Sequence, residues 1–486
     1  MGNYTMVTDL YELTTAQTYF NSGREKEITY FDAFFRKIPF EGGYAVMGGA
    51  HDIVSYIKNL KFTKRDIKYL RSLNLFTEEF LKYLSTFKFH GDIFMIPDGT
   101  VIFENEPLVT VRASVIEAQI IETTLLAYLN AEIKFTTAAR RMVDAAGEIP
   151  IMEFGARRAD GPEAAILASK CGYIGGCIAT SNCKVGLMHG TPVMGTHPHS
   201  MITDYDNEYE AFLSYAKTHP YNTVFLVDTY DTLRSGIPNA IKVARDYLIP
   251  NGYPFKGIRI DSGDLAYLSK EARRMLDEAG FPDTKICLSN GLTPETIKSL
   301  KEQGAVIDSI GAGDNIASPK ERVGCVYKLV AKEENNKIVP KIKISGDAIK
   351  VVNPGYKKVY RFYDKKTGYA IGDVVALHDE VIPQDKFTLI DPNNKLNQKE
   401  IGNYRVRELQ KCYFKDGKLI EKIPNINQVR EYCSEEMDTL YEEVRRLENP
   451  HDYYVDLTNE LLELKEQLIK EHRENIKVKS IGGLHG

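Results

Sequence analysis

Residues 257–280, GIRIDSGDLAYLSKEARRMLDEAG, carry in one stretch the pattern on which the fold turns. A short apolar run, GIRI, stops at a polar turn, DSGD, and a segment with helical spacing of its apolar residues follows from Leu265. The same unit recurs on both sides. Downstream lie KICLSNGL (285–292) with TPETIKSLKEQG (293–304), and then AVIDSIGAGDNI (305–316). Upstream lie TVFLVDTYDT (223–232), TPVMGTHPHS (191–200), GCIATSN (176–182) and IPIMEFGARR (149–158). Strand-to-helix alternation predicts a parallel sheet, because parallel strands need a crossover between them. Seven such units within roughly 180 residues predict a (β/α) barrel rather than an open sheet, irregular because some links are too short for a full helix.

The flanks read differently. TDLYELTTAQTYFNSG (8–23) predicts a helix with Thr8 or Asp9 at its N-cap and Gly23 as its stop, and EITYFDAFFRKIPF (27–40) predicts a strand. SVIEAQIIETTLLAYLNAEIKFTTAARRMVDAAG (114–147) reads as one long helical stretch, broken near Asn130. Strand-like segments resume at VYKLVAKE (326–333) and continue through KIVPKIKI, KVYRFYD, YAIGDVVALHD and FTLIDP (387–392). The expected architecture is therefore α/β. An irregular barrel over 131–329 joins an α+β sandwich-like domain built from 1–130 and completed by 330–425. A charged helical extension follows over 426–486.

Composition limits the function classes. With 62 basic and 67 acidic residues the net charge is −5, which gives no electrostatic footprint for nucleic acid or for an anionic membrane. Seven scattered cysteines, an odd number with no C-x-x-C pair, suggest neither a disulfide framework nor a zinc site. A cytoplasmic setting is expected. The N-terminus has no basic-then-apolar leader and has Met6 where a myristoylation signal needs Ser or Thr, and no run of about 18 apolar residues occurs.

In a βα barrel the residues after each strand gather at one mouth. Here they are Glu153, Phe154, Arg157 and Arg158; Thr180, Ser181 and Asn182; Thr196, His197 and His199; Asp228 and Asp231; Arg259, Asp261, Ser262 and Asp264; Ser289 and Asn290; and Gly311, Gly313, Asp314 and Asn315. Arginines, carboxylates and a glycine-rich turn suit a phosphorylated substrate with a divalent metal. The GAGDN turn offers backbone N–H groups to a phosphate, and Asp261 and Asp264 offer oxygens to Mg²⁺. Each feature also has a plainer reading, as a helix cap, a tight turn or a surface pair. The pair His197/His199 admits three: a shared metal clamp needing a third ligand, a structural role, or His199 acting as acid–base or nucleophile toward the γ-phosphate of ATP.

Taken in order and spacing, TDLYELT, EFGARR, GTHPHS, GIRIDSGDL and SIGAGDNI resemble the nicotinate phosphoribosyltransferase family, of the type II phosphoribosyltransferases. The resemblance runs over nearly the whole chain and is weakest after about 425. It implies an irregular α/β barrel, a homodimer with shared active sites, and three small-molecule partners: nicotinate, phosphoribosyl pyrophosphate and ATP as co-substrate, with Mg²⁺. ATP hydrolysis would be coupled to formation of nicotinate mononucleotide and pyrophosphate, the salvage entry to NAD. Carried over residue by residue, it implies His199 as the phosphorylated histidine, with Thr196 beside nicotinate. Tyr11 (from the neighbouring subunit) and Phe154 would sandwich the pyridine ring. Arg259 would meet the base and its carboxylate, and Arg157 would lie near the phosphoribosyl group, with Ser181 also on the substrate side. Gly311, Gly313 and Asp314 would form the phosphate turn, and Asp261 would meet ribose hydroxyls or metal. Asn182 aligns where nicotinamide-using relatives carry aspartate, so it is expected to favour the acid. Pro198 departs from the small residue usual before the key histidine, and His197 has no assigned role. Competing readings are a nicotinamide or quinolinate phosphoribosyltransferase, a non-catalytic barrel sensing a phosphorylated metabolite, and a metal-dependent aldolase on a similar barrel, which would need a zinc cluster or a Schiff-base lysine at a strand end, Lys184 being the only lysine near such a position in the early strands.

Overall fold

The computed structural model describes residues 2–344, 351–390, 396 and 398–482. They divide into two compact units: residues 1–133, 322–424 and 432–486 in one, and 134–321 with 425–431 in the other.

The second unit holds the alternation. Its elements are β1 (Ile151–Glu153), α1 (Pro162–Ile174), β2 (Ala179–Thr180), α2 (Cys183–His189), α3 (His199–Asp204), α4 (Glu208–Thr218), β3 (Val224–Leu226), α5 (Ile237–Val243), β4 (Gly257–Ile260), α6 (Leu265–Glu278), β5 (Lys285–Ser289), α7 (Pro294–Glu302), β6 (Ser309–Ala312) and α8 (Asp314–Ala317). The strands form one sheet in the order β2-β1-β6-β5-β4-β3, parallel at every pairing. Strand interiors such as Ile258, Ile260, Ile286 and Leu288 are fully buried, as a sheet covered on both faces requires. α6 buries Leu265, Ala266, Ala272 and Leu276 along one stripe and is capped by Asp264, whose carboxylate accepts from Tyr267 N at 3.0 Å.

Six of the seven expected runs are strands; the seventh, 191–200, is not. It makes one parallel bridge, Val193 to Thr180, carried by Thr180 N–H to Pro192 O and Met194 N–H to Thr180 O, both 3.0 Å. Gly195, Pro198 and the start of α3 prevent a longer ladder, since proline has no N–H to contribute. β2 and β3 are left as the two end strands, and the 192–199 segment touches both.

The first unit contains a seven-stranded sheet and a four-stranded sheet. In the seven-stranded sheet, strand Ile28–Phe34 sits between Val109–Ser114 and Val326–Glu334, antiparallel to both. The two sheets contribute to one core, whose cluster includes Phe31, Ala33 and Val111 from one and Val359 and Val375 from the other. A fully buried ion pair, Lys357–Asp32 at 2.9 Å, joins the central strands of the two sheets.

Two expectations about this unit need correction. The long helical stretch breaks at Ile121, not at Asn130. Asn130 lies inside a 25-residue helix, Glu122–Ala146, with its side-chain amide spanning Leu126 O and Cys325 N. The segment from 426 is not a purely helical extension. Val455–Leu457 joins the four-stranded sheet, parallel to Ala370–Leu377, and Tyr453 and Glu436 reach the buried Arg361–Asp373 pair. A three-residue strand is too short to show as a pattern. The ends of two expected segments, 391–392 and 483–486, lie outside the described residues.

Candidate functional site

At the C-terminal ends of β1 to β4 lies a cavity of about 280 Å³, lined by residues of those four strand ends and of the 192–199 segment. β1 supplies Phe154 and Arg157, β2 supplies Ser181, the 192–199 segment supplies Thr196, His197 and His199, β3 supplies Leu226, and β4 supplies Arg259 and Asp261.

Arg259 is the central cation. Its Nε donates to Ser289 Oγ at 2.8 Å, Nη1 to Thr196 Oγ1 at 3.1 Å and Nη2 to Asp261 Oδ1 at 3.0 Å. Three of its five N–H groups are thus committed, which fixes the guanidinium plane and leaves two donors for a ligand. The guanidinium carbon lies 5.5 Å from the centre of the Phe154 ring. Phe154 in turn is seated by Gly311, where a Cβ would lie 2.7 Å from two ring carbons. The turn after β1 is set by Glu153, fully buried, which accepts from Thr180 Oγ1 at 2.6 Å and from Gly155 N.

Asp228 is the hub of the polar network. It follows β3 and its side chain is only 1% exposed. Oδ1 meets His199 Nε2 at 3.1 Å, while Oδ2 accepts from Asp261 N at 2.9 Å and from Ser262 Oγ at 2.6 Å. With Nε2–H held by a carboxylate, the open nitrogen of His199 is Nδ1, which makes no hydrogen bond among the described residues. The His199 side chain is 42% exposed, so that nitrogen is accessible.

The two histidines of GTHPHS part company. His199 opens α3, while His197 is buried, its ring set among Phe212, Tyr215 and Phe225. Its Nε2 accepts the Leu226 N–H at 3.1 Å. Burial, with the positive charge of Arg259 nearby, pushes its pKa down to about 4, so the imidazole is neutral and able to accept. The shared metal clamp does not form, because two residues apart share a face only in a continuous extended strand. No cluster of three or more His, Cys, Asp or Glu suited to a metal occurs among the described residues.

Several expected site residues lie elsewhere. Asn182 caps α2, accepting from Lys184 N at 3.1 Å, and its amide donates to Ala165 O and Ser169 Oγ on α1 at 3.3 and 3.2 Å. It does not line the cavity. Asp264 is the cap of α6, with one oxygen of its carboxylate on that helix. Gly311 makes room for Phe154. Gly313 lies where a Cβ would crowd the Phe154 carbonyl at 3.0 Å, and Asp314 pairs with Arg158 at 2.8 Å. Neither glycine nor Asp314 lines the cavity. Tyr11 belongs to the other unit, half exposed on helix Leu10–Asn21, with burial and Glu122 raising its pKa. Lys184 is exposed on α2, outside the cavity. Asp228 and Ser289 were visible as strand-end residues, but nothing in their immediate sequence showed that they orient His199 and Arg259.

The chain is similar to known proteins along nearly its whole length. Residues 6–130 match the family model described as the nicotinate phosphoribosyltransferase (NAPRTase) N-terminal domain, and residues 356–465 match that of its C-terminal domain. The chain is 42% identical over 473 residues to a nicotinate phosphoribosyltransferase of Bacillus subtilis, covering 97% of this chain and 96% of the relative. It is 34% identical over 520 residues to one from Caenorhabditis elegans, covering 94% and 92%. It is also similar to the crystal structure of human nicotinic acid phosphoribosyltransferase, with TM-score 0.84 and 27% identity over 95% of this chain and 99% of the other. No described helix is long and apolar enough to cross a membrane.

Proposed function

The chain belongs to the nicotinate phosphoribosyltransferase family, and we propose that the cavity at the strand ends joins nicotinate to phosphoribosyl pyrophosphate, driven by ATP through a phosphohistidine at His199, as a step of NAD salvage. The observation that carries this reading is Asp228, one carboxylate tied at once to the His199 imidazole and to the Asp261 backbone. Through it the phosphorylation state of His199 is communicated to the strand end that would hold the ribose.

In this reading the six-stranded sheet closes as an irregular barrel through the 192–199 segment. The pyridine ring lies on Phe154, and Tyr11 of a second copy covers its other face in a homodimer. Nicotinate's carboxylate pairs with the two uncommitted donors of Arg259, which favours the acid over its amide. The pyridine nitrogen attacks the anomeric carbon, the bond to pyrophosphate breaks, and pyrophosphate departs with the Mg²⁺ it brought. Asp261 Oδ1 is already committed to Ser289 and Arg259, so Mg²⁺ is best written as substrate-borne, held chiefly by phosphates. Arg157 meets the phosphate end, and the phosphates extend beyond the cavity toward the 311–314 turn. No general base is needed, since the pyridine lone pair is free.

His199 acts in a separate step. Its Nδ1 lone pair attacks the γ-phosphorus of ATP, the bond to the ADP oxygen breaks, and Asp228 stabilises the proton on Nε2. The added negative charge changes the electrostatics of the pocket. Incubation with γ-³²P-ATP should place an acid-labile label on His199 at Nδ1. His199→Ala should abolish ATP turnover while retaining some ATP-independent synthesis of nicotinate mononucleotide. Stoichiometric ATP hydrolysis by that variant refutes the assignment, and forming the mononucleotide from nicotinamide or quinolinate in preference refutes the substrate.

A further inference from the structure

The 192–199 segment is held to the two end strands by unequal means. On the β2 side it uses two ordinary backbone hydrogen bonds at Thr180. On the β3 side the buried Leu226 N–H, a strand-edge donor that would need a carbonyl, instead meets the ring nitrogen of His197. A buried amide without an acceptor is costly, so the imidazole fills a gap in the ladder. The residues on either side of His197 are those with work in the cavity. Thr196 takes the Nη1 donor of Arg259, and His199 meets Asp228.

We infer that His197 is a positioning residue for the transfer reaction. By accepting the Leu226 amide proton it stands in for a missing strand carbonyl between the 192–199 segment and β3, and so fixes the backbone from which Thr196 and His199 reach Arg259 and Asp228. The inference rests on the proposed reading of the cavity. Its ring is 3% exposed, and its aromatic neighbours hold it as a rigid plug. Displacement of reacting groups by about 1 Å is enough to lower a rate on the order of a hundredfold.

Two variants of the full chain separate the hydrogen bond from the packing. In His197→Gln the side-chain oxygen reaches close to the place of Nε2 and keeps the acceptor. In His197→Phe the aromatic volume is kept and the acceptor is lost. Mononucleotide synthesis, the KM for each substrate and the melting temperature are measured for both. The expected result is that the Gln variant keeps kcat within about threefold, while the Phe variant loses ten- to a hundredfold in kcat without a matching loss of melting temperature. A Phe variant as active as the Gln variant, or losses that simply follow melting temperature, overturns the inference. Nitrogen-15 spectra of histidine-labelled wild type give a second readout independent of activity. His197 must show a proton on Nδ1 and a hydrogen-bonded bare Nε2 from pH 6 to 8, and the opposite tautomer overturns the assignment. If the wild type made no mononucleotide at all, the function would fail while the spectra still decided the hydrogen bond.

Discussion

Replacing Asp228 by Asn tests the site at its hub. Oδ2 receives two donors, Asp261 N and Ser262 Oγ, so the single carbonyl oxygen of Asn must take that place. The amide NH₂ then faces His199 Nε2, where a proton donor now stands in place of an acceptor. His199 is forced into the tautomer with Nδ1 protonated, and Nδ1 loses the lone pair that phosphoryl transfer needs. Loss of a charge-assisted hydrogen bond alone is worth about 1.5–3 kcal/mol, or roughly 10- to 150-fold. Holding a catalytic imidazole in the wrong tautomer has cost on the order of 10⁴ in rate in a well-studied triad. ATP turnover should therefore fall by about 10² to 10⁴, while the Asp261 backbone stays anchored and ATP-independent synthesis falls far less. The assay follows γ-³²P release and mononucleotide formation on the same preparation, with circular dichroism and melting temperature as controls for folding. ATP turnover within threefold of wild type, in a folded variant, refutes the role given to Asp228.

Other outcomes follow from the same geometry. Asn182→Asp keeps the oxygen that caps α2 but loses the two donors to α1, so it should lower stability by about 1–2 kcal/mol and move the acid-to-amide ratio of kcat/KM less than threefold; a tenfold shift toward nicotinamide contradicts the placement of this side chain. Gly311→Ala puts a methyl 2.7 Å from the Phe154 ring and should raise the KM for nicotinate several-fold with a smaller effect on phosphoribosyl pyrophosphate, read by steady-state kinetics. His197 has a folded-state pKa of about 4, below its unfolded value, so the unfolded chain binds the extra proton and stability is lost as pH falls from about 6.5 toward 4. Between pH 7 and 5 this amounts to about 2 kcal/mol in wild type that His197→Phe should not show, a difference measured by denaturant titration of both at each pH.

The alternation in GIRIDSGDL and its neighbours was legible because each strand ends in a polar turn that also begins a helix, and local chemistry alone makes that pattern. Phe154, Arg259, Asp261, Thr196 and His199 were legible as strand-end residues, and the cavity gathers them. The partners each side chain takes needed information that neighbouring residues do not hold. The difference between His197 and His199 depends on Leu226 and Phe212 across the fold. Asn182 and Asp264 have the residue types of both a ligand contact and a helix cap, and the sequence does not show the caps they form. Gly311 reads like a phosphate turn, and its lack of a side chain also makes room for Phe154, more than 150 positions earlier. Val455–Leu457 is too short for any periodicity to show.

The order in which the chain leaves the ribosome has a consequence set by the parallel closure of Val455–Leu457 onto Ala370–Leu377. All six strands of the parallel sheet lie within one uninterrupted stretch and can pair as soon as it emerges. The first 133 residues, made earlier, must wait for strand Val326–Glu334 to cover an open edge of Ile28–Phe34, and then for residue 457. At ordinary speeds of translation that wait is on the order of ten seconds or more. During it a bare β edge rich in Phe and Tyr is exposed, a natural point for chaperone capture and for aggregation when synthesis outruns assembly.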